Sequence, residues 1–215
     1  MKKRIEIDEV VSKIKSGMTI MVGGFLGNGS PHKIIDAIAK SDIKDLTVIC
    51  NDSGFPDKGV GILIANKKVK KVITSHIGTN PITIDQMNAK ETEVEFNPQG
   101  TLAERVRAAG AGLGGVLTQT GLGTVVAEGK QIINIDGKDY ILEKPLKADV
   151  AIIAASYSDE EGNLVYEGTT QNFNPIMATA ADVVIAEVNE VKKTGEIPME
   201  LVHTPKVFVD FILKN

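Results

Sequence analysis

The chain has 215 residues, of which 42% are apolar and 24% are charged, and its formal net charge is -4 at pH 7. This composition is ordinary for a globular protein, and the length suffices for one α/β domain spanning residues 1–215 with a substantial core. The acidic balance and the absence of long apolar stretches give no reason to expect a nucleic acid partner or a membrane association.

Cysteine usage and the first residues bear on the compartment. Cys50 is the single cysteine, which excludes an intrachain disulfide, and its place in an apolar strand pattern favours a buried core role. The amino-terminal segment lacks the apolar region of a signal peptide. A cytoplasmic protein is therefore expected.

Helices and strands alternate over the first 108 residues. In chain order the pattern predicts helix 8–15, strand 18–22, helix 31–40, strand 46–50, a short helix around 60–66, strand 69–75, a helix near 82–87, strand 92–96 and helix 102–108. Such alternation predicts a mostly parallel sheet flanked by helices. Ligands of such sheets bind beyond the carboxyl ends of the strands, which here are followed by loops 23–30, 51–59, 76–81 and 97–100.

The pattern changes after residue 110. Segment 110–124 is rich in glycine and is expected to be flexible and to cross a site or an interface. Residues 131–142 predict a β-hairpin, because Asp136-Gly137 supplies a turn with positive φ. Strands 149–154 and 182–188, with a helix over 173–180 between them, follow. No internal repeat or low-complexity linker divides the chain.

The loop after the first strand has the strongest sequence signal. Gly23, Gly24, Gly27 and Gly29 lack a Cβ, so the backbone can turn sharply and approach a ligand. Ser30 is a typical N-cap residue and Pro31 suits the first helical position. Free N–H groups at that helix start favour an anion. The loop is either such a ligand site or only a tight turn between strand and helix.

Gln99 is a second candidate site residue. Pro98 fixes the backbone before it, and Gln99 lies between a strand end and a helix start. Its neutral amide has two N–H donors, which suit an oxygen that becomes negative in a transition state. A cap or a polar loop residue is the alternative. The charged residues of the following helix (Glu104, Arg105 and Arg107) are either surface charges or partner contacts.

Other chemistries find little support. The glycines of segment 110–115 have dinucleotide-loop spacing but follow a helical pattern rather than a strand, and no Walker A sequence is present. His32, His76 and His203 are far apart and predict no metal site, although His76 follows a strand end. Ser53 is not in a nucleophile elbow and is interpreted as part of a turn.

Four motifs together resemble one family. Residues 17–25 (Gly-Met-Thr-Ile-Met-Val-Gly-Gly-Phe) and 29–31 (Gly-Ser-Pro) look like the signature of the α half of family I coenzyme A transferases, with Ser16 where the signature usually has Asp or Asn. Segments 75–80, 97–105 and 172–175 also fit. The resemblance covers nearly the whole chain and is nearest to α subunits of acetate, acetoacetate and butyrate CoA-transferases.

The resemblance implies a CoA-transferase-like α/β fold and a ping-pong transfer of coenzyme A between short-chain carboxylic acids. The family's nucleophilic glutamate lies in the β half, in a Ser-Glu-Asn-Gly context that this chain lacks; Glu167 is its nearest imitation. The chain is therefore expected to need a β subunit in a hetero-oligomer, with segment 110–123 as the candidate contact. The acyl-CoA thioester is a substrate, and no tightly bound cofactor is expected.

The resemblance also assigns site residues. Gln99 matches the family glutamine that donates into the oxyanion site, and Asn51 matches an asparagine near the reacting carbonyl. The expected coenzyme A loop comprises Gly24, Phe25, Leu26, Gly27, Asn28, Gly29 and Ser30.

Two other readings compete with the transferase. A sugar-phosphate isomerase or sugar-sensing domain of similar fold would need an in-chain base and cationic phosphate ligands, but the strand-end loops hold few Lys or Arg, Lys58 being the exception. A catalytically silent binding module would leave the glycine loop and Gln99 unexplained.

Overall fold

A computed structural model describes residues 3–215. The first two residues, part of the segment used to predict the compartment, lie outside the described residues. The helices are α1 (Ile7–Ser12), α2 (His32–Lys40), α3 (Gly61–Ala65), α4 (Pro81–Asn88), α5 (Gln99–Gly110) and α6 (Asn174–Met177). The strands are β1 (Thr19–Val22), β2 (Leu46–Ile49), β3 (Val69–Thr74), β4 (Glu93–Phe96), β5 (Val116–Thr118), β6 (Ile132–Ile135), β7 (Lys138–Glu143), β8 (Ala148–Asp159), β9 (Leu164–Val165), β10 (Ala181–Lys192) and β11 (Phe211–Lys214).

The main sheet has the order β11-β10-β8-β1-β2-β3-β4, and these seven strands are parallel. Strand β9 pairs antiparallel with β8. The chain builds outward from β1 through β2, β3 and β4, then crosses to the other side of β1 to form β8. The order of the strands therefore reverses between β1 and β8. The α/β class and the mostly parallel sheet predicted from the sequence are confirmed.

Alternate residues of the central strands enter two cores on opposite faces of the sheet. Ile20 and Val48 pack with α1, α2 and α3 on one face, while Met21 and Ile49 pack with α5 and α6 on the other. Side chains of a strand alternate between faces, so a strand covered on both sides is a continuous apolar run. This is why the short runs of the sequence were sufficient to locate β1 and β2.

A second sheet of three antiparallel strands, in the order β5-β7-β6, lies in the region after residue 110. The predicted hairpin is confirmed, with its turn at Asp136-Gly137 between β6 and β7. Part of the segment expected to be flexible forms β5, whose three residues are too few to give a periodic pattern. The sequence also gave no sign of the short strands β9 and β11.

Several boundaries differ from the prediction. Strands β8 and β10 have 12 residues each and extend beyond the apolar runs. They do so because ten residue pairs join them between Ala148 and Asp159 of β8 and the facing residues of β10. Helix α6 is shorter than the predicted helix, since Thr179 and Ala180 close the end with bonds to carbonyls three residues back. In the part of the chain that the structure describes, no helix is both long and apolar enough to cross a membrane.

Candidate active site at the carboxyl edge of the sheet

A cavity of about 350 Å³ lies at the carboxyl ends of the strands between β1 and β4. Its lining comes from the four loops that the sequence indicated and from Ser75, the last residue of a predicted strand; it consists of Phe25, Leu26, Asn51, Asp52, Ser75, His76, Thr79 and Gln99. Of the residues predicted as site members, Phe25, Leu26, Asn51 and Gln99 line the cavity. His76, which the sequence had only placed after a strand end, lines it too.

A chain of hydrogen bonds joins the polar side chains of this cavity. Gln99 Nε2 donates to Asn51 Oδ1 at 2.7 Å, and Asn51 Nδ2 donates to Asp52 Oδ2 at 2.7 Å. Backbone N–H groups then bind the carboxylate, from Leu26 at 3.0 Å and from Gly54 at 2.7 Å. Asn51 and Asp52 are buried, whereas Gln99 is exposed at the start of α5. The amide nitrogens of Asn51 and Gln99 each carry two hydrogens, and these hydrogen bonds use one hydrogen of each nitrogen.

The glycine loop is a tight turn whose backbone could not be built from larger residues. Phe25 N donates to Asn28 O at 3.0 Å, and Asn28 N donates to Phe25 O at 2.8 Å. Gly24 has a φ of +121°, and a Cβ there would overlap Ser30 Oγ. Gly27 and Gly29 also have positive φ angles of +79° and +67°. The loop therefore needs its glycines for packing, whatever it binds.

The far side of the loop rests on the segment just before α6. Asn28 Nδ2 donates to Thr169 Oγ1 at 2.6 Å, and Asn172 Nδ2 donates to Asn28 O at 3.1 Å. The buried Asn174 donates to Gly29 O at 3.0 Å. Thus Gly24, Gly27, Asn28, Gly29 and Ser30 shape the loop, and only Phe25 and Leu26 of the predicted loop residues face the cavity.

The start of α2 corrects one sequence prediction. Pro31 is the N-cap residue rather than the first helical residue, and the Ser30 side chain does not cap the helix. The N–H groups of Lys33 and Ile34 are not free, because the carboxylate of Glu187 accepts from them at 3.2 and 2.9 Å. The free N–H groups that the sequence suggested at this helix start are therefore already bound within the chain. The chain supplies its own anion.

Glu187 is a buried residue of β10, and burial raises the pKa of its carboxyl above the ordinary 4.5. The two backbone donors of α2 favour the charged form and partly offset that effect. The carboxylate lies beside a crevice of about 460 Å³ between α2, β8 and β10. We call this the switch crevice, because it lies where the strand order reverses; Ser30, Lys33, Ser156, Glu187 and Asn189 are among its lining residues.

A second turn of the same form follows β2, although the sequence analysis found no repeat. Gly-Phe-x-x-x-Gly occurs at 24–29 and again at 54–59, and Lys58 N donates to Phe55 O at 3.1 Å. Gly54 and Gly59 have positive φ, as Gly24 and Gly29 do. Both phenylalanines are exposed, Phe25 at 43% and Phe55 at 38%. The repeated six-residue motif is the sequence signal that links the two loops.

Arg105 is buried, which excludes it as a surface charge. Its Nη1 pairs with Glu95 Oε1 at 3.0 Å and also donates to Asn97 Oδ1, while Nε donates to Lys144 O at 2.8 Å. Burial acts to raise the pKa of Glu95, but the hydrogen bonds from Lys71 and Arg105 outweigh it and lower that pKa. These contacts fix the strand end from which Gln99 follows. Glu104 and Arg107 are exposed and pair with each other.

The other candidate nucleophiles and metal-ligating side chains are buried or hydrogen-bonded within the fold. Burial, followed by the charge of Asp52, raises the pKa of the Cys50 thiol to about 12, so it stays protonated. Ser53 is fully buried. His32 Nε2 contacts Gly27 O at 2.9 Å, and His203 Nδ1 accepts from Tyr166 N at 3.0 Å. Across residues 3–215, no group of three His, Cys, Asp or Glu side chains is placed to hold a metal ion.

The described residues bring one carboxylate to the cavity, that of Asp52, and three N–H donors occupy it. Glu167, the nearest sequence imitation of a nucleophile, is exposed and does not line the cavity; its backbone N–H donates to Ser156 Oγ at 2.8 Å. The site thus offers neutral amide donors and no free carboxylate.

Fold and site together define an α/β protein whose parallel sheet has an amide-lined cavity at its carboxyl edge. The family described as coenzyme A transferase matches residues 4–215, and this chain belongs to it.

Relatives agree with this assignment. The chain is 51% identical, over 99% of its own length and 98% of the relative's, to the acetoacetyl-CoA:acetate/butyrate CoA transferase alpha subunit of Clostridium acetobutylicum. It is 48% identical to the acetate CoA-transferase subunit alpha of Escherichia coli K12, over 98% and 96% of the two lengths. The crystal structure of glutaconate coenzyme A-transferase from Acidaminococcus fermentans has the same fold, with a TM-score of 0.89 at 21% identity, over 99% of this chain and 75% of that one.

Proposed function

We propose that this chain is the α subunit of a heteromeric CoA-transferase that moves coenzyme A between short-chain carboxylic acids of the acetate, acetoacetate and butyrate class. Family membership supports the transferase reaction. The names of the two bacterial relatives, which match over almost their entire length, support the subunit and the acid class.

The observation that carries the proposal is the chemistry of the cavity. It presents the amides of Gln99 and Asn51, while its one carboxylate among the described residues is already occupied by N–H donors. A transferase that works through a glutamyl intermediate needs a free carboxylate. We therefore assign the attacking glutamate to a second polypeptide, the β subunit, as the resemblance to the family implies.

The reaction then proceeds in two reversible halves. The β-subunit glutamate attacks the acyl-CoA carbonyl and expels the CoA thiolate, which leaves an acyl-glutamyl anhydride. The thiolate attacks the glutamyl carbonyl of the anhydride and releases the first carboxylate, so that a glutamyl-CoA thioester remains. The second acid reverses these steps and leaves with coenzyme A. Covalent steps of this kind divide one difficult exchange into easier ones.

Each attack on a carbonyl generates a negative oxygen. We assign Gln99 as the donor to that oxygen, because its amide is exposed at the cavity and one N–H remains after the bond to Asn51. Asn51 contributes its remaining N–H near the reacting carbonyl. Such donors act in the transition state, where the charge develops, and a single one typically accounts for about 10²–10³ in kcat.

Coenzyme A is assigned to the loop from Gly24 to Ser30, and it enters as part of the substrate, so the reaction needs no tightly bound cofactor. Phe25 and Leu26 line the cavity and supply apolar contacts beside the reacting carbonyl. The remaining residues of the loop act by holding its shape. The helix start behind the loop is not part of this assignment, because Glu187 occupies it.

The small sheet is assigned to the contact with the β subunit, together with segment 110–123 that leads into it. Leu117, Ile132 and Ile135 of the sheet are exposed large apolar side chains, and so are Leu113 and Val125 in the stretch between α5 and β6, at 54% and 78%. Exposed apolar clusters commonly mark protein interfaces. We treat residues 1–215 as one CoA transferase α domain that works in the cytoplasm, in keeping with its single, buried cysteine.

The sugar-phosphate alternative has no support from the relatives, and the described residues bring no Lys or Arg to the lining of the cavity. Co-expression with the β subunit, followed by exchange assays of acetate with acetoacetyl-CoA and butyryl-CoA, tests the proposal. Turnover should need both subunits. Full turnover by this chain alone would overturn the division of roles, and a complex that is inactive toward both thioesters would overturn the acid class.

A further inference from the structure

Asp52 occupies a position that the reaction scheme does not use. The residue is 5% exposed, and both carboxylate oxygens accept backbone N–H groups, Oδ2 from Leu26 and Oδ1 from Gly54. The same Oδ2 also accepts from the side chain of Asn51. A backbone N–H can only donate, so both oxygens of Asp52 act as acceptors in these contacts. This end of the hydrogen-bond chain therefore has one fixed polarity.

The acceptor oxygens of Asp52 determine which end of the Asn51 amide, and then of the Gln99 amide, acts as donor. A primary amide has an acceptor end and a donor end of nearly equal size, so its shape alone does not decide which way it points. The carboxylate of Asp52 requires the NH₂ end of Asn51, which leaves Asn51 Oδ1 as the acceptor at 2.7 Å from Gln99. Gln99 must then present its own NH₂ end to Asn51.

We propose that Asp52 is a positioning residue that fixes the orientation of the Asn51 and Gln99 amides, so that the NH₂ end of Gln99, rather than its carbonyl oxygen, serves the cavity. The inference rests on the proposed role of Gln99. Without the carboxylate, Asn51 can rotate by half a turn and offer its NH₂ to Gln99, which then turns its oxygen inward. A carbonyl oxygen at that place repels the negative oxygen that it should stabilise.

The chain offers a matched control. Asp159 is also buried and also accepts from backbone N–H groups and from an asparagine, with Asn163 Nδ2 at 2.6 Å and Gly162 N at 2.8 Å. It organises the turn after β8 and does not line the cavity. Loss of either carboxylate therefore removes comparable contacts, but only one of the two connects to Gln99.

The test uses the assembled complex with the β subunit. Asp52→Ala should lower kcat by about 10-fold with little change in KM, less than loss of the donor itself, because the orientation acts only in the transition state. Asp52→Asn, which keeps the size and one acceptor, should give a smaller loss and replaces the alanine variant if that complex does not assemble. Asp159→Ala should lower Tm and leave kcat unchanged.

A double mutant then separates positioning from mere stability. In a Gln99→Ala background, Asp52→Ala should cause a clearly smaller loss of kcat than in wild type, because only its effect through Asn51 remains. A kcat within twofold of wild type for the Asp52 variants, or an equal loss in both backgrounds, would overturn the inference. If Gln99→Ala alone leaves kcat unchanged, the proposed role of Gln99 fails instead, which is a separate result.

Discussion

Two cavities at the same edge of the sheet differ in an instructive way. The switch crevice lies where the strand order reverses, the usual place for a ligand of an open α/β sheet, and at about 460 Å³ it is the larger. Yet its helix start is already bound by Glu187. The cavity beside Gln99 is smaller, at about 350 Å³, but the amides of Asn51 and Gln99 each retain one N–H that no described residue binds. The amides of Asn51 and Gln99, rather than size or topology, therefore distinguish the cavity proposed as the reactive site.

The largest expected effect sharpens this difference at the reactive cavity. Gln99→Ala should lower kcat of the complex by about 10²-fold, since one donor to the developing oxyanion is lost. Assembly should be unaffected because Gln99 is exposed. The measurement is steady-state kinetics together with size-exclusion chromatography of the complex.

The control for that variant is Gln86→Ala. Gln86 is a buried amide on α4 that binds Ile64 O and Thr92, outside the cavity. Its loss should reduce stability and leave kcat unchanged. Equal kcat values for the two variants would contradict a special role for Gln99.

The glycine loop between the two cavities gives the next effect. Gly24→Ala should destabilise the protein by roughly 2 kcal/mol, because it adds both a positive-φ penalty and an overlap with Ser30 Oγ. Gly17 has a φ of +82° and nothing within 4 Å of a built Cβ. Gly17→Ala should thus cost only about 1 kcal/mol of backbone strain. Denaturant unfolding of the two variants checks this, and equal losses would show that packing of the loop is unimportant.

Removal of the carboxylate at the switch crevice should affect folding alone. Glu187→Ala leaves the N–H groups of Lys33 and Ile34 without their acceptor, which should cost about 1 kcal/mol, as loss of a helix cap does. The kcat of the assembled complex should remain within about twofold of wild type, because the proposed reacting groups lie in the other cavity. A loss of kcat comparable to that of Gln99→Ala would show that the reaction takes place in the switch crevice, which contradicts the proposed location.

The smallest effect is in the pH dependence of stability, where two glutamates differ in sign. Burial raises the pKa of Glu187 in the folded state, so its contribution is largest below the ordinary 4.5 and declines as pH rises through the folded pKa. Although burial opposes it, Lys71 and Arg105 lower the pKa of Glu95, so its contribution is present above 4.5 and declines as pH falls through the folded pKa.

Unfolding free energies of Glu187→Gln and Glu95→Gln, each compared with wild type from pH 7 down to acid, measure these contributions. On acidification the wild type should gain stability relative to Glu187→Gln and lose it relative to Glu95→Gln. The same trend for both variants would show that the two carboxyls do not differ as described.

The sequence predicted the parallel sheet and the loops of the cavity, because short buried strands and glycine turns leave local patterns, as in β1 and residues 23–30. The occupant of the α2 start was not predictable: Glu187 is 153 residues from Ile34 and lies in the otherwise apolar run 183–188 of β10. Asp52 was missed for a related reason. Its role depends on Leu26, Asn51 and Gln99 meeting in space, and only Asn51 is its neighbour in sequence.

The most direct test is to find which polypeptide carries the covalent intermediate. The assembled complex is incubated with an acyl-CoA in the absence of an acceptor acid, and the intact mass of each subunit is measured. The coenzyme A adduct should appear on the β subunit, and this chain should keep its unmodified mass. An adduct on this chain, at Glu167 or at any other carboxylate, would contradict the account.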